Sequence, residues 1–330
     1  MLVAHRDGEL FTRASEGPDL VPLAPMNEID LAAAWRLSKI IRQWRPAIVH
    51  AHDPHAVSMA ALALSFAAPN PRPKTVASRR VDFHLQSNAF SQWKYRQMDA
   101  FVAASAAIRD ILVADGIAAN RVHVVHDGID VAKIARRPAV DVHTEYWLPH
   151  GVPLIVNVGA LVGHKGQRHL VDAMPLVIRE VPDAHLVIFG EGELRQPLEK
   201  QVKQLNLGKR VLLPGFREDV LSLMKSADLF VMSSVTEGLG SAVLDAMAMG
   251  HAVVGTRAGG IPEAVVPGET GLLVEPGDPR ALADAIVTLL TRDDLRQAYG
   301  EAGRKRVAAH FDVNNLVEGT LQVYQRIAGR

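Results

Sequence analysis

The chain has 330 residues, 48% of them hydrophobic, a length that exceeds one ordinary domain and suits two domains that each bury a core. Basic and acidic side chains balance at 36 each, which gives no sign of a surface for nucleic acid, and we expect no such partner. The absence of cysteine excludes disulfides, thiolate catalysis and thiolate–zinc sites.

The first ten residues, MLVAHRDGEL, carry charges where a signal peptide would be apolar. Elsewhere in the sequence no apolar run is long enough to span a bilayer. We therefore expect a cytoplasmic protein.

Strand-like apolar runs alternate with helical patterns, which is typical of open parallel sheets covered by helices on both faces. In the first half we predict strands at 47–50, 74–78, 100–105 and 121–125, and helices near 30–45, 55–67 and 105–114. In the second half we predict strands at 154–159, 184–190, 210–215, 228–234, 251–256 and 271–276. Ligands of such sheets bind beyond the carboxyl ends of the strands, so the loops there form the candidate site.

Residues 135–153 are rich in proline and polar groups and show no clear period, which indicates a domain boundary. The predicted domains are 1–140 and 141–312, followed by a helix within 313–330 that is able to pack back on the first domain. The predicted fold class is α/β, with two Rossmann-like parallel-sheet domains.

A glycine-rich turn, GALVGHKG (159–166), follows the strand at 154–159 and leads into a helix that we predict from about residue 167. The backbone N–H groups of such a turn and the helix dipole favour an anion, and Lys165 adds a positive charge, so phosphate is the natural ligand. The turn is not a Walker A motif, because Gly166 follows Lys165 where serine or threonine is required. A tight turn with a solvated lysine is the structural alternative.

The segment GEGELR (190–195) follows the next strand and superficially suggests a dinucleotide site. Arg195 stands where the third glycine of that motif would fall, so we exclude NAD as a cofactor. The segment is better interpreted as a helix-capping turn, in which Gly190 and Gly192 can line the cleft.

The segment VTEGLGSAVLDAMAMG (235–250) places two carboxylates in an otherwise apolar context. Glu237 lies on a loop, where it can accept hydrogen bonds from sugar hydroxyls. Asp245 lies one turn after Ser241 and can accept the paired hydroxyls of a ribose, with the helix N-terminus between the two acids facing a diphosphate. Alternatively, Glu237 is solvated and Asp245 forms a local cap or pair, although a charge without a partner is costly among apolar neighbours.

The order and spacing of several pieces in this half resemble the nucleotide-sugar domain of family 4 glycosyltransferases. These pieces are Lys165 in its glycine-rich setting, GEG (190–192), PGF (214–216), EG (237–238), DAMAMG (245–250), AGGIPE (258–263) and GETGLLVEP (268–276). The resemblance implies the GT-B fold, in which two Rossmann-like domains face each other across a cleft. It also implies retaining transfer from a nucleoside diphosphate sugar, without a metal ion or other cofactor.

By the same resemblance, Glu237 would bind hydroxyls of the donor sugar, Asp245 the ribose and Lys165 the diphosphate leaving group. The residues expected to bind the donor are Gly159, Lys165, Gly190, Gly192, Phe216, Glu237, Gly238, Gly240, Ser241 and Asp245. Two positions differ from the family pattern: Asp245 stands where glutamate is usual, and Ala160 where arginine is usual. The second difference removes a cation from the leaving-group site unless another one, such as Arg257, replaces it.

The first half is similar to the acceptor domain of the same family in IVHAHDPH (48–55), TVASRRVDF (75–83), VAAS (102–105) and VVHDGID (124–130). His52 and Asp53 follow a predicted strand, where the acceptor hydroxyl and the donor sugar would meet. They are candidate catalytic residues, together with Lys165 and Glu237. Two arginines, Arg79 and Arg80, follow the next strand and are candidates for the acceptor side.

A metal pair is the rival interpretation of His50 and His52, since HxH after a strand is ligand spacing in several hydrolases. HAHDPH also approaches the HxHxDH of metallo-β-lactamase-like hydrolases, but the aspartate and the intervening residue are interchanged. No later metal-site pattern is evident, so we expect no metal. For His50, burial in the core is a further alternative.

The predicted helix at 30–45 is basic and amphipathic. Its cations Arg36, Lys39, Arg42 and Arg45 lie three residues apart, beside Trp35, Ile40, Ile41 and Trp44. Such a helix can lie on anionic lipid, which would suit a membrane-borne acceptor and a peripheral position on the inner face of a membrane. An ordinary helix with a solvated basic face has the same pattern.

Members of the family begin with a strand, a glycine-rich loop and a helix ahead of the strand that corresponds to LVAH, and Met1 directly precedes that strand here. We therefore expect a shortened first domain.

The leading hypothesis is a retaining glycosyltransferase that acts on a hydroxyl of a glycan or glycolipid. One alternative is a catalytically inactive nucleotide-sugar-binding module, which the missing first unit and Ala160 make plausible. A second alternative is a nucleotide-sugar epimerase on the same fold.

Overall fold

The computed structural model describes residues 1–14, 17–67 and 70–329, which form two parallel α/β domains. The first domain contains β1 (Leu2–Ala4), α1 (Glu9–Arg13), β2 (Leu20–Pro22), α2 (Leu31–Trp44), β3 (Ile48–Ala51), α3 (Pro54–Ala67), β4 (Lys74–Arg79), α4 (Ala89–Arg96), β5 (Ala100–Ala103), α5 (Ala106–Ala114) and β6 (Val122–Val124). α6 (Val131–Arg136) and α7 (Val142–Glu145) lead into the second domain.

The second domain contains β7 (Leu154–Val158), α8 (Gln167–Glu180), β8 (His185–Phe189), α9 (Arg195–Gln204), β9 (Val211–Gly215), α10 (Val220–Met224), β10 (Leu229–Met232), α11 (Ser241–Ala248), β11 (Val253–Thr256), α12 (Ile261–Ala264), β12 (Gly271–Val274), α13 (Pro279–Thr291) and α14 (Asp293–His310). The last helix is α15 (Val313–Ala328), and Arg330 of the predicted segment 313–330 lies outside the described residues.

The sheet of the second domain has the strand order β12-β11-β10-β7-β8-β9, and all its neighbouring strands are parallel. Its strands are apolar on both faces because helices cover both, and two separate cores form there. The strand order reverses between β7 and β10. Such a reversal opens a crevice beyond the carboxyl ends of the two strands, which is where open α/β sheets bind ligands.

The first domain has a four-stranded parallel sheet in the order β3-β4-β5-β6. Among the described residues, β1 and β2 pair only with each other, beside this sheet. Both sheets contact α2 and α3, since Val3 of β1 packs on one cluster that contains residues of these helices and Val49 of β3 packs on a second. The helix pair therefore joins the two sheets into one domain.

The chain crosses between the domains twice. After the first crossing, Ile134 of α6 packs in a core of the second domain. At the second crossing, Asp312 forms a parallel bridge with Ile129, and α15 then returns to the first domain. There it packs against β4 and β5, where Val323 meets Val76 and Val102.

The strands and helices predicted from the sequence are present. Each of the ten predicted strands overlaps one of β3 to β12, and the helices near 30–45, 55–67 and 105–114 correspond to α2, α3 and α5. Within the described residues, no helix combines the length and the hydropathy that crossing a membrane requires.

Candidate active site

Lys165 lies in the turn between β7 and α8, and Gly166 fixes the course of that turn. Gly166 has a φ of 63°, in the left-handed region that favours glycine. Space also requires glycine, since a Cβ there would lie 2.1 Å from the carbonyl oxygen of Ser233. The Ser233 hydroxyl donates back to the Lys165 carbonyl at 3.1 Å. The turn is thereby held against the loop that follows β10.

That loop carries Glu237, whose side chain is buried. Lys165 Nζ lies 2.6 Å from Oε2 of Glu237, and the Ser234 hydroxyl donates to the same oxygen at 3.0 Å. The two residues are 72 positions apart in the sequence and meet because β7 and β10 are neighbours. The structure thus brings together the two donor-side residues that were predicted as catalytic.

The N-terminus of α11 lies at the end of the same loop. The helix begins at Ser241 directly after Gly240, whose φ is 87°. In the part of the chain that the structure describes, no side chain caps this helix end, and Ser241 is exposed. The free N–H groups and the helix dipole favour an anion at such an end.

Asp245 lies one turn further along α11. The described residues donate no hydrogen bond to its carboxylate, so the local cap considered from the sequence is not formed. Burial raises the pKa of Asp245 to about 6, and the positive charge of Arg137 opposes this shift only in part. In its ionised form, this partly buried carboxylate can accept hydrogen bonds from two hydroxyl groups.

Gly190 and Gly192 press the loop after β8 against the loop after β7. A Cβ at Gly190 would lie 1.9 Å from the carbonyl oxygen of Gly159, and one at Gly192 would lie 2.4 Å from that of Leu161. Side chains at these positions would separate the two loops. Phe216 follows β9 at the same edge of the sheet, and its ring is largely exposed.

On the side of the first domain, His52 and Arg80 line a cavity of about 260 Å³ between the carboxyl ends of the strands and α15. Arg80 Nε lies 3.0 Å from Asp127. The ring of His52 stacks on that of His50, and burial lowers the pKa of both imidazoles, that of His50 to about 3. Both rings are therefore neutral at pH 7.

His50 has protein partners on both ring nitrogens. Nδ1 lies 2.6 Å from the hydroxyl of Tyr324 on α15, and Nε2 lies 2.8 Å from the hydroxyl of Ser78. His50 is only partly buried and also lines the cavity, but both of its ring nitrogens are occupied by hydroxyl partners of the protein. In the described residues, no group of three or more His, Asp or Glu side chains is arranged to hold a metal ion.

Two further candidates have contacts that support the local fold. Asp53 caps α3, since Oδ1 accepts a hydrogen bond from the Ala56 amide at 2.8 Å. Arg79 is buried and donates to the carbonyl oxygen of Phe83. Neither side chain lines the cavity that contains His52 and Arg80.

The two sides of the site meet at Gly238. A Cβ on Gly238 would lie 2.5 Å from the carbonyl oxygen of Arg80, which leaves room only for glycine at this contact between the domains. Arg257, considered as a replacement for the cation missing at Ala160, follows β11. Its Nε lies 3.4 Å from Glu275 on the exposed surface.

Sequence reasoning missed one group at the domain interface, the pair of Glu263 and His126. His126 Nε2 lies 2.8 Å from Oε2 of Glu263, and this pair joins the two domains. Burial would raise the pKa of Glu263, but hydrogen bonds from His126 and from two backbone amides outweigh it, and the net pKa lies below the usual value. In the sequence AGGIPE (258–263) is visible only as a motif, because a contact across 137 residues leaves no local signal.

Comparisons with known proteins agree with this architecture. Residues 143–306 match the family model described as "Glycosyl transferases group 1", and residues 1–133 match "Glycosyltransferase Family 4". A glycogen synthase of Mycobacterium tuberculosis is 30% identical over 91% of this chain and 74% of its own length. The chain belongs to the family 4 glycosyltransferases.

Solved structures show the same fold. A glycosyltransferase from Rickettsia africae superposes with a TM-score of 0.81 at 21% identity, over 98% of this chain and 89% of that one. Anabaena HepE in complex with UDP-glucose superposes with a TM-score of 0.80 at 21% identity, over 99% and 92%. The fold is GT-B, and the chain is a glycosyltransferase.

Proposed function

We propose that the protein transfers a sugar from a nucleoside diphosphate sugar to a hydroxyl of a glycan or glycolipid, with retention of configuration and without a metal ion. The observation that carries the proposal is the meeting of Lys165 and Glu237 beside the N-terminus of α11, with Asp245 one turn beyond. A cation, a helix N-terminus and two carboxylates are the groups that suit a diphosphate with a sugar at each end.

In this proposal the diphosphate lies between Lys165 and the free amides at Ser241. Lys165 then exchanges its carboxylate partner for phosphate, and Glu237 becomes available to the hydroxyls of the donor sugar. Asp245 accepts the ribose hydroxyls. The UDP-glucose complex of Anabaena HepE supports a donor of this class, because that protein shares the fold along nearly the whole chain.

The glycines of the site let the backbone approach the donor closely. Gly159, Gly190 and Gly192 hold two loops together beneath the diphosphate, and Gly238 and Gly240 shape the loop that carries Glu237. The exposed ring of Phe216 is available to the nucleobase. The base is left open, since none of these groups distinguishes uracil, guanine or adenine.

Catalysis in this scheme depends on positioning and electrostatics. The bond from the anomeric carbon to the diphosphate oxygen breaks as the acceptor oxygen approaches from the same face, and the acceptor proton passes to the departing phosphate oxygen. Lys165 and the α11 N-terminus stabilise the charge on the leaving group. Neutral His52 can accept a hydrogen bond from the acceptor hydroxyl, and Asp53 is adjacent to it in the chain.

The acceptor side is the cavity lined by His52 and Arg80. Its volume of about 260 Å³ suits one sugar ring, and both of its walls combine polar and apolar side chains, such as His52 and Val102 at the strand ends and Tyr324 and Leu316 on α15. Such mixed walls suit the hydroxyls and the carbon skeleton of a sugar. Arg79 contributes to this side through the turn that it holds.

Thermal-shift titration with UDP, GDP and ADP tests the donor site, and we expect stabilisation by one of them that Lys165→Ala abolishes. Lys203→Ala is the control, because Lys203 is an exposed lysine on α9 outside the site.

A second experiment tests transfer itself, which release of nucleoside diphosphate on addition of acceptor would support. Binding without release would indicate an inactive module, and donor turnover without acceptor would indicate an epimerase.

We also propose peripheral binding to the anionic inner face of a membrane. A second cavity, of about 730 Å³, lies at the amino ends of β3 and β4, and among the described residues no acidic side chain lines it. Its cations are Arg42, Arg45, Arg72 and Lys74. Trp44 and Phe66, at the ends of α2 and α3, are each about half exposed. Cations beside exposed aromatic rings are typical of a membrane-contacting surface.

Flotation with vesicles tests this partner. We expect binding to vesicles of phosphatidylcholine with phosphatidylglycerol, weaker binding to phosphatidylcholine alone, and loss of binding in the double variant Arg42→Ala/Arg45→Ala. The variant Lys203→Ala/Lys209→Ala removes the same charge from exposed sites of the second domain and should still bind. Equal flotation of both double variants would contradict the proposal.

A further inference from the structure

Glu263 belongs to the second domain but binds three hydrogen-bond donors of the first. Its Oε2 accepts from the Ala106 amide at 2.9 Å and from His126 Nε2 at 2.8 Å, and its Oε1 accepts from the Ala107 amide at 3.1 Å. Its side chain is 22% exposed, so water competes only weakly for these bonds. One carboxylate therefore holds a helix end and an imidazole of the other domain.

The helix end concerned is that of α5, whose first N–H groups need partners from outside the helix. Ser105 supplies one within the first domain, because its hydroxyl oxygen accepts from the Ile108 amide at 3.2 Å. Glu263 supplies the partners for Ala106 and Ala107, and its negative charge faces the positive end of the helix dipole. The capping of α5 is complete only when the two domains are docked.

Within the second domain, backbone contacts connect Glu263 to the loop after β10 that carries Glu237, which is called the donor loop below. The Gly260 amide donates to the carbonyl oxygen of Glu237 at 3.1 Å, and a Cβ on Gly259 would lie 1.7 Å from that oxygen. Behind α12, Arg306 donates to the carbonyl oxygens of Glu263 and Ala264. Contacts between backbones cannot adjust by changing a rotamer, so a displacement of α12 moves the donor loop as well.

We infer that Glu263 is a positioning residue, which sets the first domain and its acceptor-side groups in register with Glu237. The chain of contacts runs from α5 through Glu263 and Gly260 to Glu237, and every step is a hydrogen bond or a close contact between described atoms. The inference rests on the proposed division of donor and acceptor groups between the two domains. It assigns Glu263 no contact with either substrate.

The test is Glu263→Gln, which keeps the size of the side chain but removes its charge and one acceptor oxygen. We expect donor affinity to stay within about twofold, because the donor groups lie in the second domain. We expect kcat for transfer to fall about 10- to 100-fold and donor hydrolysis to rise relative to transfer, since small misplacements of reacting groups have effects of this size.

Asp278→Asn is the matched control. Asp278 also caps a helix, accepting from the Arg280 and Ala281 amides at 3.0 Å each, but entirely within the second domain. It should lower thermal stability without changing the ratio of transfer to hydrolysis. Equal kinetics for the two variants would overturn the inference and leave Glu263 a purely structural cap.

A distance measurement separates this inference from the proposed function. The sequence has no cysteine, so Asn120→Cys and Lys209→Cys introduce one label site in each domain. We expect Glu263→Gln to broaden the distance distribution between spin labels, and an unchanged distribution would refute the positioning role. A protein that keeps a narrow distribution but binds no nucleotide would refute the proposed function instead.

Discussion

Lys165 and Glu237 form a part-buried ion pair in the candidate site. Their side chains are only 19% and 11% exposed, and each is the charged partner of the other. A pair held away from water is costly to break by removing one member, because the other charge stays behind. In the proposed function a diphosphate sugar avoids that cost, since it would bring an anion for the lysine and hydroxyl donors for the glutamate.

A double-mutant cycle tests this mutual dependence. We expect Lys165→Ala to lower the free energy of unfolding by up to about 3 kcal/mol, because it leaves Glu237 buried and uncompensated. The double variant Lys165→Ala/Glu237→Gln should recover much of that loss while still binding no nucleotide. Urea unfolding measures the stability and calorimetry the binding. Additive losses of stability would show that the two side chains do not interact.

Asp245 gives the site a dependence on pH. Its pKa of about 6 in the folded protein lies above the ordinary value of 3.8, so the folded state holds a proton that the unfolded state releases between about pH 4 and 6. The stability of the empty protein therefore falls as the pH rises through that window, by about 3 kcal/mol. Asp245→Asn should remove this dependence.

Nucleotide affinity should show the opposite trend. In the proposed complex ribose hydroxyls donate to the ionised carboxylate, so we expect binding to strengthen between pH 5 and pH 7, as Asp245 loses its proton. Calorimetric titration at the two pH values measures this, with Asp245→Asn as the control that stays weak at both. A wild-type affinity that does not change with pH would show that Asp245 does not bind the nucleotide.

At the scale of elements, the turn between β7 and α8 is the most constrained segment of the site. Gly163 and Gly166 both lie in it, but only Gly166 has a positive φ and a backbone oxygen in the place of its Cβ, whereas Gly163 has open space there. Glycine is therefore required at one position and optional at the other. This difference provides a matched pair of substitutions within a single turn.

We expect Gly166→Ala to destabilise the protein by at least about 1 kcal/mol from the left-handed backbone alone, and by more from the overlap with Ser233. Nucleotide affinity should fall with it, because Lys165 is the preceding residue. Gly163→Ala should leave both properties unchanged. Thermal melting and a nucleotide titration of the two variants check this, and equal behaviour would mean that the turn adapts freely.

The sequence predicted the strands of both sheets because parallel strands covered on both faces are continuous apolar runs, as in LIVNV (154–158). Rules for the carboxyl ends of such strands also selected Lys165, Glu237 and Asp245. The same rules selected Asp53 and could not reveal that it caps α3, since both roles suit a carboxylate after a strand. Glu263 escaped notice because its partners are fixed only by the docking of two domains.

At the scale of the whole molecule, the two connections between the domains are tied to each other. Ile129 donates to the carbonyl oxygen of Phe311 at 2.9 Å, and Val313 donates to that of Ile129 at 2.9 Å. Gly128 makes this approach achievable, since a Cβ there would lie 2.6 Å from the carbonyl oxygen of Asp312. The first residue of α15, Val313, is thus hydrogen-bonded to the first domain.

We expect Gly128→Ala to break this junction and to accelerate hydrogen exchange at the amides of Ile129 and Val313, because the methyl group forces the two connections apart. Exchange within β7 and β8, far from the junction, should not change. Gly208→Ala, at a glycine with open space around its Cβ position, is the control. Slow exchange at both junction amides in the Gly128 variant would contradict this account.

Both connections pass through the bridge of Ile129 and Asp312, so we expect a rotation of one domain against the other that keeps this bridge intact to pivot there. His126 is three residues before Ile129, and its ring packs on Phe311. A small change of angle at this pivot produces its largest displacement at the distant rim of the cleft. We therefore expect substitutions at this junction to alter the width of the cleft although they lie outside the candidate site.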